Sequence, residues 1–495
     1  MISSTPEWIA RSVSRLRTAA PAADKAGDKL AKAALDKTVT DVVAKVAVPR
    51  STHERLQATL RRGQEALSPR ALRRLLADLQ EVVAPQVSEI EGGRRAQAVA
   101  DWYAKAEPEE RRDMWLLMCE QFAPDATRFK SARQRYEAAA GTAEEGQAEI
   151  SLRRALVSPR TRLLQRFSAF PEGMRFLVDM RAEILPLLKA DKRLLPLDAE
   201  LEHLFSTWFD VAFLELRRLS WDSPASLLEK LIKYEAVHDI RSWADLKNRL
   251  DSDRRCYGFF HPRLPGEPLI FVEVALLDKI SSSITPLLDE AAAPVDITRA
   301  TTAIFYSISN TQTGLRGVSF GDSLIKHVVE TLTAEFPRLR TFATLSPIPG
   351  FRAWLGKHAG AMLDRLDDKR RSELGRAVGF EPPQATHFLG VLDKALELDA
   401  KSPVRQMLLE CAAYYLGREL QEGKPADPVA RFHLGNGARV ERLNWAGDPS
   451  AKGLKQSYGL MVNYLYDLKR IDKHRSLLAQ GKVPASGDID SLCRH

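Results

Sequence analysis

Residues 303–336 read AIFYSISNTQTGLRGVSFGDSLIKHVVETLTAEF, and this stretch joins a strand, a glycine-bearing loop and a helix. The run "AIFYSIS" (303–309) is rich in branched and aromatic residues, which predicts a strand. Helical spacing then sets Leu324, Ile325, Val328, Val329, Leu332 and Phe336 along one buried side. Between strand and helix lie Gly314, Gly317 and Gly321, with Arg316 between the first two. A glycine loop of this kind brings backbone N–H groups close to an anion, and the helix N-terminus adds roughly half an elementary charge. No Gly-Lys-Ser/Thr follows, so this is no Walker A loop, and the glycine spacing is not GxGxxG. A phosphate cradle and a plain structural turn both fit.

Working outward, "CYGFF" (256–260) and "LIFVEVALL" (269–277) predict two strands joined by the turn-rich "HPRLPGEP". The run Arg340 to Leu345 predicts a fourth, and helical segments intervene between the later strands. This C-terminal part reads as α/β. From His53 to about Leu188 the chain reads as helices, with Ser68-Pro69 and Ser158-Pro159 as cap-then-proline starts. Pro196 to Leu250 is also expected to be helical. The expected organisation is an N-terminal arm (1–50), an all-α domain suited to self-association (51–188) and an α/β domain (189–495).

Composition narrows the function. With 44% hydrophobic and 28% charged residues in 495, a folded chain with a sizeable core is expected. No run of 18 apolar residues and no N-terminal apolar segment appear, which predicts neither a membrane span nor a secretory signal. Four cysteines without a CxxC pair predict free thiols in a reducing, cytoplasmic setting rather than a zinc cage. A net charge of +8 without a finger spacing, aromatic RNA-binding motif or basic block gives no reason to expect nucleic acid.

Two polar residues invite a chemical reading. Ser346 opens "SPIPGF" (346–351) at a strand's exit, where Pro347 and Pro349 deny a central strand and stiffen the turn. It is either a cap or a reacting group. His433 precedes Gly435-Asn436-Gly437 in a tract crowded with Asn, Trp and Tyr, which suggests a sharp loop or hairpin. Glu235 and His238, three apart, share a helical face in this reading; a buried hydrogen bond is preferred to a metal pair, since no third ligand is in view. Lys452 and Lys455 make a thin case for phosphate contact, and Arg316 is preferred.

Taken together and in order, "YEAVHDIRSWADL", "HPRLPGEPLIFVEVALL", "FYSISNTQTGLRGVSFGDSLIK", "LSPIPGF", "HLGNGA", "LNWAGD" and "GLMVNYLY" resemble the malonyl-CoA decarboxylase family. The resemblance runs from about Ser158 to Leu468. It implies an all-α N-terminal domain followed by a GNAT-like (acyl-CoA N-acyltransferase-like) α/β domain. "RGVSFGDSLI" is similar to the acyl-CoA loop of that fold, with Ser319 where a middle glycine is usual. The family often has glutamate at the position of Ser319.

The implied activity is conversion of malonyl-CoA to acetyl-CoA and carbon dioxide, in fatty-acid and malonate metabolism, with no metal or other cofactor. By motif, Ser346 and His433 fall on the family's catalytic residues. Arg316, Gly317, Val318, Ser319, Phe320, Gly321 and Asp322 fall on its substrate loop, and Tyr466 on a tyrosine near its site. The implied assembly is a homotetramer. The reading expects His433, near its ordinary pKa of about 6.5, to protonate an enolate. Ser346 either orients the departing carboxylate or acts as a base. An N-acyltransferase using the same CoA cradle is the alternative.

Overall fold

The structure is a computed structural model that describes residues 66–318 and 324–494. The expected arm (1–50) and the substrate-loop residues Ser319, Phe320, Gly321 and Asp322 lie outside the described residues. Among the described residues two compact units emerge: 66–74 with Glu107–Val157, and Leu75–Ala106 with 158–494.

The first unit is helical, with helices at Pro108–Gln121, Ala126–Ala138 and Glu145–Leu156. Pro108 at the first helical position and a reciprocal capping box between Glu107 and Glu110 start the first of these. The second and third pack against each other. Asp113 is buried, and its carboxylate accepts the backbone N–H of Leu67 at 2.8 Å.

In the second unit, helices Glu89–Lys105, Pro159–Phe167, Gly173–Ile184 and Leu195–Trp208 precede a sheet. Leu163, Leu164, Phe167, Leu177, Leu201 and Phe205 have no exposed surface, so apolar burial orders these helices. The strands are β1 (Glu215–Leu219), β2 (Arg254–Phe260), β3 (Pro268–Leu277), β4 (Thr302–Asn310), β5 (Thr341–Thr344) and β6 (Ser346–Pro347). They continue with β7 (Leu420–Gln421), β8 (Lys424–Pro425), β9 (Arg439–Asn444) and β10 (Met461–Leu465). Helix Leu324–Glu335 follows β4 and its loop, as the 3.6-residue spacing requires.

The main sheet runs β1-β2-β3-β4-β5-β10-β6, with β9 paired to β10; β7 and β8 form a separate hairpin. Among the described strand pairs, only β4–β5 is parallel. β2 is buried throughout and β3 in all but its last residue, which is why their apolar runs are continuous rather than alternating. β1 corrects the expectation of helix throughout Pro196–Leu250. "ELRRL" is a short, largely exposed edge strand with no clear alternation, and its pairing with β2 overrides local preference. Among the described residues, no helix is long and apolar enough to cross a membrane.

One feature of the register positions the site. β4 pairs with β3 from Thr302 to Asn310, but with β5 only as far as Phe305 opposite Thr344. Leu345 makes a last bond, its N–H donating to Phe305 O at 2.9 Å. The chain then swings away, and Ser346 and Pro347 pair instead with Val462 and Met461 of β10. The sheet forks. The fully buried Asn463 braces the divergence, donating to Thr344 O at 2.7 Å and accepting from Asn444 Nδ2 at 2.8 Å. On β4 the register skips Tyr306, a bulge opposite Glu273 and Val274.

Candidate active site

Ser346 sits where the fork opens and is 5% exposed. Its hydroxyl donates to Thr344 Oγ1 at 2.9 Å and lies 3.3 Å from Nε2 of His433. Thr344 Oγ1 also accepts the N–H of Tyr464 at 3.1 Å, which fixes the pivot residue between two strands. Proline at 347 is tolerated because β6 is a two-residue edge strand.

His433 lies in the last turn of helix Pro428–Gly435, not in a loop, and the Gly-Asn-Gly turn ends that helix. Asp427 caps its start, accepting N–H bonds from Val429 at 2.9 Å and Ala430 at 3.0 Å, with proline at the first helical position. Asp427 is fully buried, and burial raises its pKa above the usual carboxylate range. The His433 ring stacks on Tyr464, centroids 4.8 Å apart at 27°, and its Nδ1 lies 2.8 Å from the hydroxyl of Tyr466.

Burial alone holds His433 down to about pKa 3, far below its ordinary 6.5. The ring is therefore neutral around pH 7, which corrects the expectation of a histidine titrating near neutrality. Burial likewise pushes the Tyr466 phenol well up. With Ser346 donating to Thr344, its oxygen is free to accept from Nε2–H, and Nδ1 then accepts from Tyr466. The chain of bonds has one direction. It lacks the carboxylate that, behind a catalytic histidine, stabilises imidazolium in hydrolytic triads.

Ser346 and His433 open onto a cavity of about 420 Å³, whose lining includes Phe305, Tyr306, Ser307, Val318 and Leu324. Arg431 is its one charged lining residue among those described. An entering anion meets a single cation and mostly apolar walls.

The structure thus gathers Ser346, His433 and Tyr466 into one hydrogen-bonded chain and adds Val318 to the cavity. Tyr466 stands behind the histidine and lines a second cavity of about 210 Å³. Arg316 and Gly317 do not line the larger cavity; the Arg316 side chain is exposed, and Gly317 takes a left-handed φ of +82°. Their loop is pinned from beneath by the buried Arg181, which donates to Gly314 O at 2.8 Å and Arg316 O at 2.9 Å.

Glu235 and His238 do not share a helical face, because helix Ala225–Tyr234 ends just before them. Both are buried, and the Glu235 carboxylate accepts the N–H of His238 at 2.9 Å. Lys452 is occupied with the carbonyls of Ala236 and Val237. Among the described residues, no group of three His, Cys, Asp or Glu has the arrangement to hold a metal ion.

Thr344, Tyr464, Asn463 and Arg431 escaped the sequence reading. "LNW" and "VNYLY" carried the signal, as polar residues inside strand-like runs, but their partners are set by tertiary register.

The malonyl-CoA decarboxylase C-terminal domain family matches residues 212–495, and the N-terminal domain family matches residues 122–209. Mitochondrial malonyl-CoA decarboxylase of Mus musculus is 36% identical over 421 residues, 81% of this chain and 85% of its own length. The crystal structure of malonyl-CoA decarboxylase from Rhodopseudomonas palustris is 41% identical with a TM-score of 0.73, covering 85% of this chain and 99% of that one. The one from Cupriavidus metallidurans is 44% identical with a TM-score of 0.70, covering 86% of this chain and 100% of that one. The chain belongs to the malonyl-CoA decarboxylase family.

Proposed function

We propose that this chain is a carboxy-lyase that converts malonyl-CoA to acetyl-CoA and carbon dioxide. Membership of the family supports the reaction. The observation that carries the mechanism is the hydrogen-bonded Ser346, His433 and Tyr466 beside a cavity at the sheet's fork, with Arg431 its one charged lining residue among those described.

The thioester carbonyl lies against the open edge of β4, beyond Phe305, where peptide groups are free of a β5 partner. On binding, the Ser346 hydroxyl swings from Thr344 to donate to the carboxylate and turns it out of the carbonyl plane. The bond between the α-carbon and the carboxylate breaks, its electron pair passes into the thioester as an enolate, and carbon dioxide leaves. Nε2–H of His433 then gives its proton to the α-carbon while Nδ1 takes the proton of Tyr466, and solvent reprotonates the phenol, so that the net reaction consumes one proton. A preorganised donor at such an oxyanion is worth about 2.7–4 kcal/mol. The apolar cavity acts in the same direction, because it replaces the hydration shell of a full carboxylate charge that is dispersed as the bond breaks. A covalent acyl-serine is disfavoured, since a neutral His433 without a carboxylate behind it is a weak base towards Ser346.

The proposal places CoA phosphates near Arg316 through Asp322 on a GNAT-like frame, a reading the parallel β4–β5 pair and the following helix support. It needs no metal or prosthetic group. It extends to a cytoplasmic homotetramer serving fatty-acid and malonate metabolism. Exposed Ile150, Leu156 and Val157 in the helical part support self-association.

The test is carbon dioxide release from malonyl-CoA by the purified chain with no acceptor present. Release matched one to one by acetyl-CoA, unchanged by added amines, is the expected result. A requirement for an amine acceptor would instead assign an N-acyltransferase.

A further inference from the structure

The inference rests on the decarboxylase reading above and adds a residue to it. Beyond Phe305, the edge of β4 that faces the cavity has no strand partner among the described residues. An unpaired edge is ordinarily the softest part of a sheet, while a misplacement of about 1 Å at a reacting centre costs on the order of 100-fold in rate. The edge therefore needs another restraint.

Glu235 supplies one. It is 7% exposed, and its carboxylate accepts the Ser307 hydroxyl at 2.8 Å and the Ser309 hydroxyl at 3.1 Å. The same carboxylate accepts the backbone N–H groups of Val237 at 2.8 Å and His238 at 2.9 Å. Ser309 Oγ in turn accepts the N–H of Ala236 at 3.1 Å. From the other side of this loop, Lys452 Nζ donates to Ala236 O at 2.9 Å and Val237 O at 2.8 Å. Ser307 and Val237 both line the cavity. On β3, Glu273 stands opposite Ser307, fully buried, with Arg249 at 3.1 Å.

The hydrogen bonds that reach Glu235 all come from neutral groups. A buried charge without a contacting cation is a poor way to gain stability. What a carboxylate does provide is an acceptor that draws several donors to one point at once. We propose that Glu235 is a positioning residue: through Ser307 and Ser309 it holds the open edge of β4 where the thioester carbonyl meets it.

Glu235→Gln tests this, because it keeps size and burial but replaces one acceptor oxygen by a donor. Carbon dioxide release, acetyl-CoA affinity and Tm are measured on wild type, Glu235→Gln, Ser307→Ala and the double variant. The expected result for Glu235→Gln is a kcat lower by about tenfold or more with KM within about twofold, the mark of an interaction that matters in the transition state. The double variant falls little further than Glu235→Gln alone, because both changes cut the same tether. A lower Tm with unchanged kcat would make the residue structural and overturn the inference. If Glu235→Gln does not fold, Ser307→Ala decides: a lowered kcat at unchanged KM upholds the tether, and an unchanged kcat overturns it. Wild-type turnover with unaltered variants defeats this inference alone, whereas absence of wild-type turnover defeats the decarboxylase reading and this with it.

Discussion

Tyr464 has a fully buried hydroxyl with no hydrogen-bond partner among the described residues, while its ring lies 4.8 Å from that of His433. The ring and the hydroxyl should therefore behave differently under mutation. Tyr464→Phe removes an unsatisfied polar group and is expected to leave kcat within about twofold, with stability unchanged or raised by about 1 kcal/mol. Tyr464→Leu removes the stacking surface that orients and desolvates the imidazole, and is expected to lower kcat by about tenfold. Steady-state kinetics and thermal melts of both variants check this. Ser346 and His433 were legible because each is fixed by local punctuation, prolines after one and a Gly-Asn-Gly turn after the other. The lowered pKa of His433 was not legible, since it arises from burial against elements distant in sequence.

Arg181 acts at the scale of elements. From helix Gly173–Ile184 it reaches the carbonyls of Gly314 and Arg316, and its Nε donates to Asp198 at 2.8 Å. A Cβ on Gly314 would come within 1.9 Å of Val178 O, so helix and loop meet backbone to backbone. Arg181→Met is expected to destabilise the fold by about 3 kcal/mol, since Asp198 loses its partner, and to raise KM for malonyl-CoA more than it lowers kcat. Urea unfolding and a kcat/KM split on the same protein measure both. The glycine loop itself was readable from spacing, because glycine advertises positive φ and close approach. Its anchor was not, for nothing in "DMRAEI" tells a buried arginine from a surface one.

For the whole molecule, the strand-loop-helix pattern and the continuous apolar runs made the α/β part legible. The short β1 and the fork were hidden, since long-range pairing decides both. Burial has a further consequence for acid stability. His433 and His238 are held down to about 3 and about 4, while unfolded histidines titrate near 6.5. Between those values each of these histidines binds more proton in the unfolded chain, so their contribution to stability falls as pH drops from about 6.5 towards 4, against the opposite contribution of buried Glu273, which burial raises to about 8. Relative to wild type, His238→Gln should therefore melt at a relatively higher temperature near pH 4 than near pH 7, as melting curves across that range would show.

The central claim is that Ser346 and His433 perform a decarboxylation rather than an acyl transfer. The most direct measurement is carbon dioxide release from malonyl-CoA, without acceptor, by wild type, Ser346→Ala and His433→Ala that retain acetyl-CoA binding. The account predicts rapid release by wild type and a loss of about 100-fold or more in each variant. Full activity in either variant, or no release from a folded wild type that binds acetyl-CoA, would contradict it.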